Sequence, residues 1–141
     1  MQLTVLVDNN TLIDRYYLGE PGVAYYLEDG DVRILFDVGY SDIFLRNAQA
    51  LGIDLSRLQQ VVLSHGHNDH TRGLIWLSEQ EFFSELQLLA HPDALKPKQF
   101  AGEAIGAPFT AQQLQEKCRL RLSKEPVWLT KRLVFFRRDP N

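Results

Sequence analysis

The chain has 141 residues, of which 45% are hydrophobic and 23% are charged, and its formal net charge at pH 7 is −3. These values are typical of a folded domain with its own core, and they exclude a disordered chain. The acidic balance argues against a nucleic-acid partner or an anionic membrane surface, and no apolar run approaches the ~18 residues that span a bilayer.

Short apolar runs that are rich in β-branched and aromatic residues predict strands along the first two thirds of the chain. They lie at residues 3–7, 22–27, 32–37, 58–64 and 86–91. The turn sequence EDGD joins the second run to the third and predicts a hairpin. Apolar residues recur at helical spacing over 42–51 and again over about 72–84. This alternation of strands and helices predicts an α/β fold.

The last 50 residues begin with a segment rich in helix breakers. Residues 92–109 contain three prolines and two glycines, which predicts a loop or a lid. Thr110 can cap a helix over 110–118. Three further β-prone runs predict a C-terminal β-meander, and they lie at 119–123, 126–130 and 132–137.

The sequence SHGHNDH places three of the four histidines directly after the predicted strand at 58–64. Residues two apart in an extended loop project to the same side, so His65 and His67 can hold one metal ion. Asp69 and His70 follow where the chain turns into a helix, and they could hold a second ion. The alternative is that these histidines are solvent-exposed polar residues of a surface loop, or that one of them caps the helix, but this spacing favours a metal site. The donors suit zinc, and also iron or manganese, better than calcium or magnesium.

Three other polar residues lie at strand ends and could support this site. Asp37 ends the strand at 32–37, so it should lie near the same edge of the sheet, where it could orient a ligand histidine. Asp8 ends the first predicted strand, and His91 ends the predicted strand at 86–91. Both could therefore face the same edge of the sheet as Asp37. The alternatives are turn roles for Asp37 and Asp8 and a structural role for His91.

The sequence VVLSHGHNDHTRGL, with ILFDVG upstream, resembles the metallo-β-lactamase superfamily, whose signature is His-x-His-x-Asp-His. LTVLVDNN and LLAHPDAL extend the match over most of residues 3–95. They look like the branch related to dihydropterin ribofuranosyl-aminobenzene phosphate synthase. The resemblance implies an αββα sandwich and hydrolysis of a small-molecule ester or phosphoester by a metal-bound hydroxide. It also implies Asp69 as the candidate catalytic residue, Asp37 as a supporting carboxylate, and metal ligation by His65, His67, Asp69 and His70.

The chain departs from the pattern of this family at several positions. Asn68 stands where the branch commonly has an aromatic residue, and Arg72 stands where it has glycine, which predicts a more polar mouth of the site. The family takes its remaining ligands from the second half of a longer domain, and this chain has no histidine after His91. Either His91, Asp93 or Glu103 substitutes, or a second chain contributes ligands, or the site binds metal weakly or not at all.

A chain that contains little more than the first sheet-plus-helices half of a sandwich, with a C-terminal meander, would leave an apolar sheet face uncovered. We therefore predict a symmetric dimer in which two chains pack sheet on sheet. The expected contact surface is the meander, whose apolar residues could instead be buried within their own chain; they are Val127, Leu129, Leu133, Phe135 and Phe136.

Three functions remain open from the sequence, of which a nucleic-acid binding or cleaving protein is the one that the acidic balance disfavours most. The first is a metal-dependent hydrolase, and the second is a non-catalytic binding or structural protein that keeps the fold but lacks the second-half ligands. The single cysteine, Cys118, excludes an internal disulfide, and the N-terminal sequence has neither a basic region nor a long apolar one. We therefore expect a cytoplasmic protein, formed by one domain over residues 1–141.

Overall fold

The secondary structure was obtained from a computed structural model, which describes residues 1–10 and 17–137. In this part of the chain the strands are β1 (Gln2–Val7), β2 (Ala24–Asp29), β3 (Val32–Phe36), β4 (Gln60–Val62), β5 (Gln87–Ala90), β6 (Gln99–Phe100), β7 (Glu103–Ala104), β8 (Arg119–Leu122), β9 (Val127–Trp128) and β10 (Val134–Phe135). The α-helices are α1 (Ile43–Ala50), α2 (Asn68–Thr71), α3 (Leu74–Leu77) and α4 (Ala111–Lys117). Short 3-10 helices cover Leu55–Arg57, Glu81–Glu85 and Pro92–Leu95.

A six-stranded mixed sheet has the strand order β1-β2-β3-β4-β5-β8. The first three strands pair antiparallel, and β3, β4, β5 and β8 pair parallel. Parallel neighbours need crossover connections, and α1 provides one between β3 and β4 while α4 provides one between β5 and β8. The predicted α/β class, the hairpin of β2 with β3, and the helices near 42–51 and 110–118 are therefore confirmed.

The helices cover one face of this sheet, and the larger part of the core lies between them. Leu35, Val61 and Leu88 are fully buried on this face, in one cluster with Phe44 of α1 and Leu114 of α4. Alternate strand residues point to opposite faces, so the sequence positions that flank these three must point away from the helices. The carboxyl ends of β3, β4 and β5 meet at one edge of the sheet, where the histidine loop begins.

The opposite face of the sheet is covered in part by the hairpin of β9 and β10. Val127 and Phe135 of the hairpin are buried in a second cluster with Ile34, Val62 and Leu89 of the sheet. Beside the hairpin lies an apolar groove of about 390 Å³, with exposed or half-buried lining residues that include Leu3, Tyr25, Leu27, Val134 and Phe136. The described residues therefore cover the second face of the sheet only in part.

The prediction of one helix over about 72–84 is wrong. The helix α3 ends after one turn at Leu77, and the chain continues as a 3-10 helix over Glu81–Glu85. The hydroxyl of Ser78 donates to the carbonyl of Ile75 (2.8 Å), a local bond that competes with helix continuation. The break lets Phe83 reach the core, where it is buried.

The prediction of a three-stranded C-terminal meander is also wrong. The strand β8 does not pair with β9 but lies beside β5 in the main sheet, in parallel register from Gln87 with Arg119 onward. The hairpin of β9 and β10 forms a separate two-stranded sheet. The predicted loop at 92–109 contains a 3-10 helix and the small hairpin of β6 and β7. Within the described residues, no helix is long and apolar enough to cross a membrane.

Candidate metal centre

The histidine loop between β4 and α2 is held in place by close backbone packing. A Cβ atom at Gly66 would lie 2.0 Å from the backbone oxygen of Ala94, so the loop contacts the 3-10 helix Pro92–Leu95 directly. His67 has extended backbone, and its carbonyl accepts a hydrogen bond from the hydroxyl of Thr71 (3.0 Å). A residue with a side chain could not replace Gly66 without moving this backbone.

Three donors converge at this loop. The ligand atoms of His65, His67 and Asp69 all lie within 4.8 Å of one another. The rings of His65 and His67 are nearly perpendicular, with centroids 4.9 Å apart. His67 is exposed and Asp69 is 46% exposed, so the group is open to solvent. Three protein donors beside an open position are the donor set of a catalytic zinc site, and the residues present therefore fit such an ion.

His70 lies between two carboxylates. Its Nδ1 atom is 2.6 Å from Oδ2 of Asp37, and its Nε2 atom is 3.5 Å from Oδ2 of Asp69. The ligand atoms of Asp37, His65 and His70 form a second group within 4.8 Å. The sequence paired Asp69 with His70; in the structure Asp69 contacts His70 but also belongs to the first group, with His65 and His67.

Asp37 is fully buried at the end of β3, and its carboxylate is saturated with hydrogen bonds. Oδ1 accepts from the backbone N–H of Ser64 (2.7 Å), and Oδ2 accepts from the hydroxyl of Ser64 (2.5 Å) and from His70. The backbone of Asp37 has φ +60°, a left-handed conformation that aspartate tolerates better than most residues. This carboxylate therefore orients the residues around it.

The hydrogen-bond pattern fixes the tautomers of two histidines. The hydroxyl of Ser64 has one hydrogen, which it donates to Asp37, so it must accept at its other contact, Nδ1 of His65 (2.8 Å). His70 likewise donates its Nδ1 hydrogen to Asp37. Both rings therefore present the Nε2 lone pair, which is the atom that a metal would bind. The sequence prediction missed Ser64, although its place directly before the first histidine was a usable signal.

The pKa values of these two histidines shift in opposite directions. Burial lowers the pKa of His70, but the hydrogen bond and the negative charge of Asp37 outweigh it, so the pKa is raised overall. Burial and the neighbouring His70 lower the pKa of His65, against the opposing charge of Asp37. An added proton therefore goes to His70 before His65, and a metal ion must displace it there.

The structure does not bring His91 or Asp8 into either donor group. His91 is buried, and its Nδ1 accepts from the backbone N–H of Asp93 (3.1 Å), which caps the 3-10 helix that follows. The carboxylate of Asp8 is exposed and accepts from the backbone N–H of Asn9 (2.6 Å). Within the described residues, the proposed substitutes Asp93 and Glu103 also lie outside both groups. Neither His91 nor Asp8 is therefore placed where it could add a ligand to either donor group.

Arg72, one of the two departures from the family pattern, contacts two aromatic rings. The guanidinium carbon lies 4.5 Å from the ring centroid of Tyr40 and 5.2 Å from that of Trp76. Its Nη1 atom donates to the backbone carbonyl of Tyr40 (3.2 Å). Asn68 is the other residue that departs from the family pattern. Its backbone N–H donates to the backbone carbonyl of Ile105 (2.8 Å).

Comparison with known proteins identifies relatives for most of this chain. Residues 17–103 match the family model of the Metallo-beta-lactamase superfamily. The chain is 30% identical over 133 residues to the uncharacterized protein MJ0448 of Methanocaldococcus jannaschii, and this covers 94% of the chain and 51% of that protein. It is 38% identical over 65 residues to the 7,8-dihydropterin-6-methyl-4-(beta-D-ribofuranosyl)-aminobenzene-5′-phosphate synthase of the same organism, covering 45% of the chain and 22% of the synthase.

Solved structures show the same fold. The crystal structure of Tm1679, a metal-dependent hydrolase of the beta-lactamase superfamily, matches with a TM-score of 0.74 at 29% identity, over 94% of this chain and 46% of that one. The metallo-beta-lactamase MIM-1 from Novosphingobium pentaromativorans matches with a TM-score of 0.53 at 23% identity, over 79% and 42%. The latter similarity concerns the fold alone. The chain spans about half the length of the relatives that it matches over most of its own length.

Proposed function

Because the chain belongs to the metallo-beta-lactamase superfamily, we propose that it is a metal-dependent hydrolase of a small-molecule ester or phosphoester. The observation that carries this proposal is the convergence of His65, His67 and Asp69 on one open position. Zinc is the proposed ion, with iron or manganese as alternatives, because imidazole and carboxylate donors suit all three. His70 is the proposed donor for a second ion.

The side chains around this position have distinct roles in the proposal. A divalent ion bound there would activate water as the nucleophile and polarise the scissile oxygen of the substrate. Asp37 orients His70 directly and orients His65 through the hydroxyl of Ser64. Asp69 lies on the solvent side, so a carboxylate oxygen that does not hold the ion can take up a proton from the attacking water.

A phosphorylated small molecule is the proposed substrate class. One relative is named as a synthase of a 5′-phosphate compound, and it is 38% identical to this chain over 65 residues. The chain covers 22% of that protein, so the name supports a class of compound and not a specific substrate.

A second candidate function is a binding or structural protein without turnover. One observation favours it. In the described residues, neither His91 nor Asp8 adds a donor to the site. A site with three donors from one loop can hold an ion without the complete surroundings that turnover requires.

Metal binding and hydrolysis separate these functions. The protein, freed of metal with a chelator, is dialysed against zinc, manganese or iron(II), and bound metal is measured by elemental analysis. We expect close to one zinc ion per chain, lost in the H67A and D69N variants, and retained in N68A, a matched change of a neighbouring residue that is not a donor.

Turnover is then assayed with p-nitrophenyl phosphate and bis(p-nitrophenyl) phosphate. Bound zinc together with hydrolysis that H67A abolishes supports the hydrolase. Bound zinc without hydrolysis supports the binding protein. Failure of the parent protein to retain any of the three metals contradicts the metal-dependent function of this chain.

We also propose that the protein resides in the cytoplasm. Its single cysteine is buried and forms no disulfide, which is compatible with a reducing compartment. Fractionation of cells that express the chain tests this, and recovery in an exported fraction would contradict it.

A further inference from the structure

Arg72 is a charged residue at the C-terminal end of α2 that the proposed chemistry does not use. Its guanidinium carbon lies over the rings of Tyr40 and Trp76, at 4.5 and 5.2 Å from their centroids. Two aromatic contacts and a hydrogen bond to the carbonyl of Tyr40 restrict the side chain to one region. Arg72 therefore has a defined position, unlike a freely solvated surface arginine.

Arg72 caps the short helix α2, which also carries Asp69 of the metal-binding group. Arg72 follows Asp69 by three residues, and residues at this spacing are neighbours on one face of a helix. A Cβ atom at Gly22 would lie 2.7 Å from the backbone oxygen of Asp69 and 3.3 Å from the backbone nitrogen of Tyr40. The loop that carries Tyr40 and the helix that carries Asp69 therefore meet at one point.

Backbone hydrogen bonds keep this juncture rigid. The N–H of Val38 donates to the carbonyl of His70 (2.9 Å), and the N–H of Gly73 donates to the carbonyl of Gly39 (3.0 Å). These bonds connect the segment that contains Tyr40 to the segment that contains Arg72 on both sides. A change in the backbone position of Arg72 would thus require movement of the segment that also carries His70.

The guanidinium has hydrogen-bond donors to spare. Of its five N–H groups, one donates to Tyr40, and among the described residues no carboxylate forms an ion pair with it. Glu20, an acidic side chain that contacts the loop of Tyr40, accepts from the backbone N–H groups of Tyr40 and Ser41 and from the hydroxyl of Ser41. The other N–H groups of Arg72 are therefore available to a ligand.

We propose that Arg72, with Tyr40 and Trp76, forms a binding site for an oxyanionic group, a phosphate or a carboxylate, on the substrate. An edge with several parallel N–H donors is the geometry that binds such groups in a two-pronged manner. The site rests on the proposed function, because it places the charged group of a substrate beside the metal-binding group. It sets specificity and takes no part in bond cleavage.

The test uses the metal-free protein, so that phosphate cannot bind to a metal ion. The chain has two tryptophans, Trp76 and the exposed Trp128. All variants carry W128F, so that Trp76 is the remaining tryptophan fluorophore. Sodium phosphate is titrated at constant ionic strength, balanced with chloride. We expect a saturable change in fluorescence, and at least about tenfold weaker binding in R72Q, which corresponds to ~1.4 kcal/mol for a charged hydrogen bond.

Two controls make the result specific. R46Q removes another arginine, which forms an exposed ion pair with Asp42 on α1, and it should leave the titration unchanged. R72K keeps the charge but lacks the planar fork, so its affinity should also fall, and it replaces R72Q as the decisive variant if circular dichroism shows R72Q to be unfolded. A parallel titration with acetate distinguishes the two anions: saturation by phosphate alone assigns a phosphate group, and saturation by both assigns a carboxylate as well.

A titration that does not saturate, or one that is the same in the parent and in the folded Arg72 variants, overturns the proposal. The test involves neither metal nor turnover. Its failure therefore leaves the proposed hydrolase unaffected, and a protein that binds no metal can still pass it.

Discussion

At the scale of residues, one buried carboxylate controls two histidines. Asp37 contacts His70 directly and reaches His65 through the hydroxyl of Ser64. Groups that donate to or accept from a ligand histidine fix its tautomer and ring orientation, and their loss typically weakens metal binding. The position of Ser64 is therefore expected to matter although its side chain cannot reach an ion held by the Nε2 atoms.

The role of Ser64 can be measured as zinc affinity. In S64A the Nδ1 hydrogen of His65 loses its acceptor, so we expect the dissociation constant for zinc to rise about 10- to 100-fold. S64T keeps a hydroxyl and should recover most of the affinity. Competition with a chromogenic chelator measures both variants, and equal affinities of S64A and the parent would contradict the relay from Asp37.

Sequence spacing predicted the four donors His65, His67, Asp69 and His70 and their role in a metal site. It did not predict which of the donors lie within one group in the structure. The density of donors in SHGHNDH identifies a metal site, and Asp37 follows from its place at the end of a strand. The side chain of Asp69 turns toward His65 and His67, which depends on where α2 begins. The contact of Arg72 with Tyr40 joins residues 32 positions apart and has no signal in local spacing, whereas its contact with Trp76 joins residues four positions apart.

At the scale of elements, the C-terminal hairpin acts as a partial cover for the sheet. Its residues alternate, so Val127 and Phe135 point to the sheet while Trp128 is 68% exposed. The sequence predicted strands here but joined them to the run at 119–123. A crossover through α4 makes that run a parallel neighbour of β5, and short apolar runs do not encode which neighbour they select.

Removing the buried ring of the hairpin should destabilise the protein. We expect F135A to lower the free energy of unfolding by about 3–5 kcal/mol, as is typical when a buried phenylalanine is truncated. W128A is the matched control on the outer side of the hairpin, and its effect should be within about 0.5 kcal/mol. Urea denaturation followed by circular dichroism gives both values. Comparable losses in the two variants would show that the hairpin does not pack on the sheet as described.

At the scale of the whole molecule, residues 1–10 and 17–137 leave the second face of the sheet partly open. Leu3 is 53% exposed and Val5 is 49% exposed on the edge strand, and Phe136 is 62% exposed beside the groove. Contiguous apolar surface of this kind is typical of interaction sites. We propose that a second copy of the chain covers it, in a dimer that packs sheet against sheet.

The molar mass of the protein in solution tests the proposed dimer directly. Light scattering after size exclusion should give twice the chain mass of 16.2 kDa for the parent. L3K places a charge on the open face and should shift the mass to that of one chain. L51K is the control, because Leu51 is 39% exposed at the end of α1, on the side of the helices, and its variant should remain dimeric. A parent protein that is a stable monomer contradicts the dimer.

The donors and their supports are close to one another along the chain as well as in space. The hydrogen bonds of Asp37 reach 27 residues ahead to Ser64 and 33 residues ahead to His70, all between β3 and α2. Contacts over such separations close loops of about the size that brings β8 to β5, and much smaller loops than the one that brings the C-terminal hairpin to β2 and β3, where Thr130 bonds to Asp29 across 101 residues. The order of assembly is therefore expected to differ between the two parts, because the surroundings of the histidines can form before the hairpin of β9 and β10 closes its longer loop over the sheet.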